Sequence, residues 1–304
     1  MTLRLPVVLL GATVLLHAAE IRLIVHADDL GFTHAANQAS FEMLEKGYVS
    51  SASVMMPCGW AAEVAAWSQR NPGKDLGLHL TLTNEWKSLR WAPVAPRDKV
   101  PGLVDPQGYM WPSVRQVAQH ATAQEVETEL RAQIERARTL GIRFTHLDTH
   151  MGTLYARPDY FEVFEKLGRE YGVPILRVKP SEENKREAPP ATIDYLLKNE
   201  ERFQKEGVFR LDTLLPDPTR GTSDPDARKI AYHNALRALK PGVYQLILHP
   251  AAISDELRAA TGSAAQRDLD YRIFSDESTV KLIRELGIKL VGWQDMAPAT
   301  ARTR

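Results

Sequence analysis

Apolar runs of strand length alternate with amphipathic stretches of helical length from residue 21 to residue 296, and no other feature limits the fold as much. Candidate strands are 21–27 (IRLIVHA), 50–56 (SSASVMM), 76–82 (LGLHLTL), 143–149 (RFTHLDT), 174–178 (PILRV), 208–213 (VFRLDT), 243–249 (VYQLILH) and 288–293 (IKLVGW). Several stretches between them carry helix signals. Residues 34–46 end at Gly47, which suits a left-handed C-cap. Thr122 with Glu125 offers a capping box for a helix running to Gly141. Asp276 and Glu277, after Ser275, suit the start of a helix over 276–286. Such a repeat builds a parallel sheet, open or closed. Seven or eight strands without a G-x-G-x-x-G turn favour a closed α/β barrel over a dinucleotide-binding sheet.

The repeat implies one domain over residues 20–304. Ahead of it, "MTLRLPVVLLGATVLLHAA" has an early Arg, a short apolar run and small residues, the layout of a signal peptide over residues 1–19. Export to the periplasm or the medium is the expectation, with no stable membrane span left after cleavage, because no other segment is apolar enough to cross a bilayer. The 38 basic and 38 acidic residues are interspersed, which argues against a nucleic-acid partner. Cys58 is the only cysteine. A disulfide within the chain and a thiolate-rich zinc site are thereby excluded, and any metal must be held by histidines and carboxylates.

In a parallel barrel the reacting side chains sit at the C-terminal ends of the strands. The first strand ends in the adjacent pair Asp28 and Asp29, just before Gly31. Two like charges so close repel, and burying them is costly without a cation. The third strand carries His79 on the face opposite Leu78 and Leu80. In the fourth, Phe144, His146, Asp148 and His150 share one face by alternation. The seventh ends in His249. Each residue has a plain alternative: a hydrogen-bonded core histidine, a carboxylate that orients a neighbour, a strand or helix cap. Their convergence at one end of successive strands favours an Asp/His/His site for one divalent metal ion, with open positions for water. One aspartate would then be a ligand, and its neighbour would act on the water.

These residues resemble the YdjC-like carbohydrate deacetylases, the ChbG/HpnK family. "HADDLG" is similar to the family's N-A-D-D-F-G strand end, "GYVSSASVMM" at 47–56 to G-x-V-S-S-x-S-x-M, and "GLHLTLT" at 77–83 to G-x-H-L-x-L-T. "THLDTHMG" matches T-H-x-D-S-H-x-H in part, and "LILHPA" supplies the late H-P strand end. The resemblance implies a distorted TIM-like barrel, a homodimer, and metal-dependent removal of acetyl groups from N-acetylated sugars. It also implies Asp29, His79 and His150 as ligands of zinc or magnesium, Asp28 as general base, His249 as general acid and Arg177 beside the site. His26 stands where the family has Asn, and Gly152 where it has a second histidine. Both departures would fall on the substrate side of the pocket.

On this reading His146 and Asp148 orient His150. Trp86, Trp91 and Trp111 lie in the long Pro- and Trp-rich segment 84–121, which interrupts the repeat as binding loops do. Their flat faces would stack on sugar rings, unless they form an apolar cluster of the loop itself. Two rivals stay open. A phosphoester or carboxylic-ester hydrolase would use similar residues, although the strand ends offer only Arg177 for a phosphate. A secreted carbohydrate-binding protein without activity would not need the intact set of Asp28, Asp29, His79 and His150.

Overall fold

The structure is a computed structural model that describes residues 20–187 and 189–296. The signal-like segment 1–19 lies outside the described residues. The first apolar run becomes β1 (Ile21–Leu30), in which Leu23, Ile24, Val25 and Ala27 are fully buried. A strand apolar on both faces needs cover on both, as in a parallel barrel. It is followed by β2 (Ser51–Val54), β3 (Leu76–Leu80), β4 (Leu147–Thr149), β5 (Thr213–Leu215), β6 (Gly242–Leu248) and β7 (Lys289–Leu290). The order is β4-β3-β2-β1-β6-β5, with β7 also on β1 and every pairing parallel.

Two isolated parallel bridges, Leu147 to Ile175 and Val178 to Leu211, join β4 to β5 through residues 174–178 and 208–213. These two expected strands therefore complete the ring, although they pair too briefly to be regular. The result is a distorted TIM-like (β/α) barrel. Its distortion lies at β7, which pairs only with Arg22 and Leu23, on the edge of β1 that β2 takes from His26 onward. The chain then turns inward. Trp293 is fully buried, stacks on His146 with ring centroids 5.1 Å apart, and donates Nε1–H to Gln245 at 3.0 Å. An indole thus plugs the end of the barrel away from the strand C-termini.

The helices are α1 (His34–Lys46), α2 (Ala61–Arg70), α3 (Val114–His120), α4 (Ala123–Thr139), α5 (Pro158–Tyr171), α6 (Glu182–Glu187), α7 (Pro190–Lys198), α8 (Glu200–Glu206), α9 (Pro225–Ala238), α10 (Asp255–Ala260), α11 (Ala264–Ser275), α12 (Glu277–Glu285) and α13 (Trp293–Met296). α1 ends at Gly47 with φ 73°, and α4 opens with the Thr122–Glu125 capping box. α12 starts one residue later than expected, because Asp276 is its cap and accepts from the Ser278 N–H.

Segment 84–121 is packed rather than loose. Asn84, fully buried, accepts from Arg90 and the Trp91 N–H and donates to the Leu89 carbonyl. Glu129 of α4 accepts the N–H groups of Val94 and Ala95 at 2.9 and 2.8 Å. Segment and helix are therefore joined by buried polar bonds, each costly to leave unmade.

Candidate metal centre

The paired aspartates depend on a fault in the strand. In a regular strand Asp28 and Asp29 would point to opposite faces. Here Ala27 pairs with Ala52 and Leu30 with Val54, so β1 carries one extra residue against β2. Asp29 takes up this bulge with φ 67°, a left-handed conformation that aspartate tolerates at a cost of about 1 kcal/mol. Both carboxylates thereby reach the same mouth of the barrel, 5% and 1% exposed.

His79 at the end of β3 and His150 just past β4 complete a triangle with Asp29. Asp29 Oδ1 lies 3.4 Å from His79 Nε2 and 3.3 Å from His150 Nδ1, and the two nitrogens are 3.2 Å apart. Donors held at about 2.0–2.1 Å around a tetrahedral zinc ion stand roughly 3.3–3.4 Å from one another. The outer nitrogens are already engaged: His79 Nδ1 with Asp148 Oδ1 at 2.8 Å, and His150 Nε2 with Glu85 Oε2 at 3.0 Å. Carboxylates accept only, so each imidazole in its neutral form directs its N–H outward and its lone pair toward the centre. Among the described residues Asp29 Oδ1 is buried without a hydrogen bond, while Oδ2 takes Arg267 Nη2 at 2.7 Å. Three electron-rich atoms thus converge on one point, and a divalent cation fits it.

The electrostatics say the same. Burial would raise the Asp29 carboxyl, yet Arg267 and the two imidazoles hold it well below the usual range. Burial would lower both histidines, yet Asp28 and Asp148 raise His79 well above its ordinary value, and Asp29 and Glu85 push His150 up to about 8. The cluster draws in positive charge, which a proton or a metal can supply. Asp28 borders it, with Oδ2 3.8 Å from His79 Nε2.

Other expected residues fall in different places. His249 follows β6, whose last residue Leu248 pairs with Ala27, so it comes at the position next to Asp28 along the neighbouring strand. It is half-buried, its backbone N–H binds Asp270, and its side chain makes no hydrogen bond among the described residues. Trp86 stacks on Phe32 at 4.5 Å, lies 6.0 Å from the His150 ring and donates Nε1–H to Thr261. It forms one wall of the site.

Several expectations need correction. Arg177 is not at the site: its guanidinium binds Glu165 of α5 at 2.7 Å and covers Phe203 of α8, on the helix side of the wall. His26 does not line a substrate surface. It is fully buried beneath the site, bound by Ser51 and Ser53 and close to Asp28 and Asp148. Asp148 orients His79 rather than His150. His146 lies deeper, against Trp293, 3.4 Å from Asp75, and its ring occupies the space a side chain at Gly77 would need. Trp91 is 6% exposed behind Trp86, with Nε1–H on the Thr83 carbonyl. Trp111 stacks on His120 and binds the Gly102 carbonyl, so both serve the loop.

Two residues at the site carried no signal in the sequence: Glu85, first after Asn84 in the long segment, and Arg267, on α11. The excess of acid at the strand ends called for a cation, but nothing distinguishes Arg267 among the charges of "AAQRDLDYR".

The carbohydrate deacetylase of Thermus thermophilus is 35% identical over 264 residues, 86% of this chain and 89% of that protein. A chitooligosaccharide deacetylase of Serratia marcescens is 33% identical over 168 residues, 54% of this chain and 62% of its own. The crystal structure of an Enterococcus faecalis protein, described as a candidate cellobiose-phosphate cleavage protein, superposes with a TM-score of 0.76 at 26% identity, over 92% of this chain and all of that one. The family model described as YdjC-like protein matches residues 22–285. The chain belongs to the YdjC-like family.

Proposed function

We propose that the chain is a metal-dependent hydrolase that removes the acetyl group from an N-acetylated sugar. The observation that carries this reading is the triangle of Asp29 Oδ1, His79 Nε2 and His150 Nδ1 with Asp28 alongside, in a chain similar throughout to proteins named carbohydrate deacetylases. Asp29, His79 and His150 would hold the ion, and the nitrogen and carboxylate donors suit zinc best. A divalent ion there supplies Lewis acidity toward the acetamide carbonyl and makes water a stronger acid.

The side chains supply the rest. Asp28 accepts the proton of the attacking water as the new C–O bond forms. The C–N bond breaks when the nitrogen gains a proton, which His249, beside Asp28 and without a side-chain hydrogen bond among the described residues, would give. Acetate and the free amine are the products. Trp86 presents an apolar face for a sugar ring, fixed by Phe32 and Thr261. Arg267 and Glu85 hold Asp29 and His150 from behind, so the ligand geometry exists before the ion arrives.

The test is acetate release from a panel of N-acetylated mono- and oligosaccharides, with chelator and with zinc restored, beside the Asp28→Asn protein. Chelator-sensitive release that the variant lacks is expected. Release of phosphate from sugar phosphates, with no acetate from any substrate, would replace this reading with a phosphoester hydrolase.

A further inference from the structure

Below the metal triangle lies a buried polar column that hydrolysis as derived above does not use. His26 is at its centre, fully enclosed. Its Nδ1 is 3.0 Å from Ser51 Oγ, and Ser51 donates its only proton to Asp75 Oδ1 at 2.7 Å. Ser51 can therefore only accept from the ring, so Nδ1 carries hydrogen. On the other side, Nε2 is 3.0 Å from Ser53 Oγ, whose proton faces Asp28 Oδ1 at 3.5 Å. With its proton turned to Asp28, Ser53 accepts from Nε2. Flanking the same nitrogen are Asp148 Oδ2 at 2.9 Å and Asp28 Oδ1 at 3.1 Å, which would repel a bare lone pair. Ser51 thus fixes a hydrogen on Nδ1, and the two carboxylate oxygens beside Nε2 favour a second hydrogen there.

We propose that His26 is a positioning residue for the hydrolysis proposed above, a buried imidazolium that pairs at once with Asp28, the base, and with Asp148, which orients the ligand His79. One cation fixes the spacing between the group that takes the proton and the group that aims a metal ligand. It also offsets two of the carboxylates crowded at the barrel mouth, at a depth where water cannot.

The surroundings agree from every side. Asp28 faces His26 from β1, Ser51 and Ser53 from β2, and Asp148 from β4, with the His146 ring edge-on at 5.2 Å. On β6 its register partner is Ile247. Burial alone would lower its pKa, but Asp148 and Asp28 outweigh burial and push it up to about 9. His26, His146 and Asp148 could also serve as ligands for a second ion, with His146 Nε2 3.9 Å from Asp148 Oδ2. That arrangement needs a bare Nε2 on His26, so the proposal assigns this place to a proton and sets the metal content at one ion per chain.

The test uses zinc-loaded protein labelled with 15N-histidine. Two-bond proton–nitrogen correlation spectra are recorded at pH 7, and the His26 signals are those missing from the His26→Asn protein. Protonation at both nitrogens is expected, and a neutral ring would overturn the proposal whether or not any substrate is hydrolysed. In turnover, His26→Leu, which removes both N–H groups, is expected to keep one zinc per chain and an unchanged KM while kcat falls about tenfold or more. An unchanged kcat would overturn the proposal. So would two zinc ions in the parent protein with one of them lost in the variant. Should the variant fail to fold, the parent spectrum, assigned through its distance to the His146 ring, still decides.

Discussion

At the scale of single residues the site divides into atoms that would touch the ion and atoms that aim them. Asp29→Ala or His79→Ala should lower zinc content and acetate release together. Asp28→Asn should keep zinc and lose turnover, because an amide cannot take the proton from water. Metal analysis beside the acetate assay separates the two outcomes. Glu85→Gln should weaken zinc binding by about 10–100-fold in a chelator competition, since the carboxylate on His150 Nε2 makes that imidazole a better donor. Unchanged affinity would remove Glu85 from the site. Convergence of strand ends in a parallel barrel made Asp28, Asp29, His79 and His150 legible as one group with His146, Asp148 and His249, and the family resemblance singled out Asp29, His79 and His150 among them. Glu85 and Arg267 were not legible, because a loop and a helix put no periodic constraint on where their side chains end. His26 was misread for the opposite reason. Alternation places it inside the barrel, but the serines that make a charged ring tolerable there belong to another strand.

At the scale of elements, the bulge in β1 and the anchoring of segment 84–121 decide whether the residues meet. Asp29 reaches the mouth only because β1 carries one residue more than β2 across the bulge. Glu85 and Trp86 are presented by a segment that α4 holds through Glu129. Glu129→Ala leaves the N–H groups of Val94 and Ala95 without an acceptor. It should cost about 1–3 kcal/mol for each group that stays buried, read as a lower midpoint in urea unfolding. It should also raise KM, because the Trp86 wall loses its support. An unchanged midpoint would mean that the segment holds itself. The capped helices were readable, since their caps are local chemistry. Residues 174–178 and 208–213 were readable as apolar runs but not as irregular staves, because bridge-by-bridge pairing is set by the partner strand.

The whole molecule encloses an unusual load of interior charge, and its stability should report that. In the metal-free protein His26 and His150 stand at about 9 and 8 against an ordinary 6.5, because acid partners outweigh burial. Groups raised in this way stabilise the fold fully below about pH 6.5 and lose that contribution as pH rises through 8 to 9. Burial opposes ionisation of Asp29, Asp75 and Asp148 too, but their cationic and hydrogen-bonding partners win and hold them below the ordinary 3.8, so their contribution disappears only in stronger acid. The metal-free chain should therefore melt highest between about pH 4 and 6.5. Zinc should move the optimum upward, since it binds the neutral imidazoles and releases their protons. Melting curves across pH, with and without zinc, check both statements, and a metal-free optimum above pH 8 would contradict the assigned charges. The barrel itself was legible from strand–helix alternation. Its closure by Trp293 under a displaced β7 was not, because a two-residue strand followed by an indole has no pattern to read.

The most direct measurement is anomalous diffraction at the zinc edge from crystals of the zinc-loaded protein. One peak within about 2.0–2.2 Å of Asp29 Oδ1, His79 Nε2 and His150 Nδ1 is the predicted result. A peak among His26, His146 and Asp148, or none in the barrel, would contradict it.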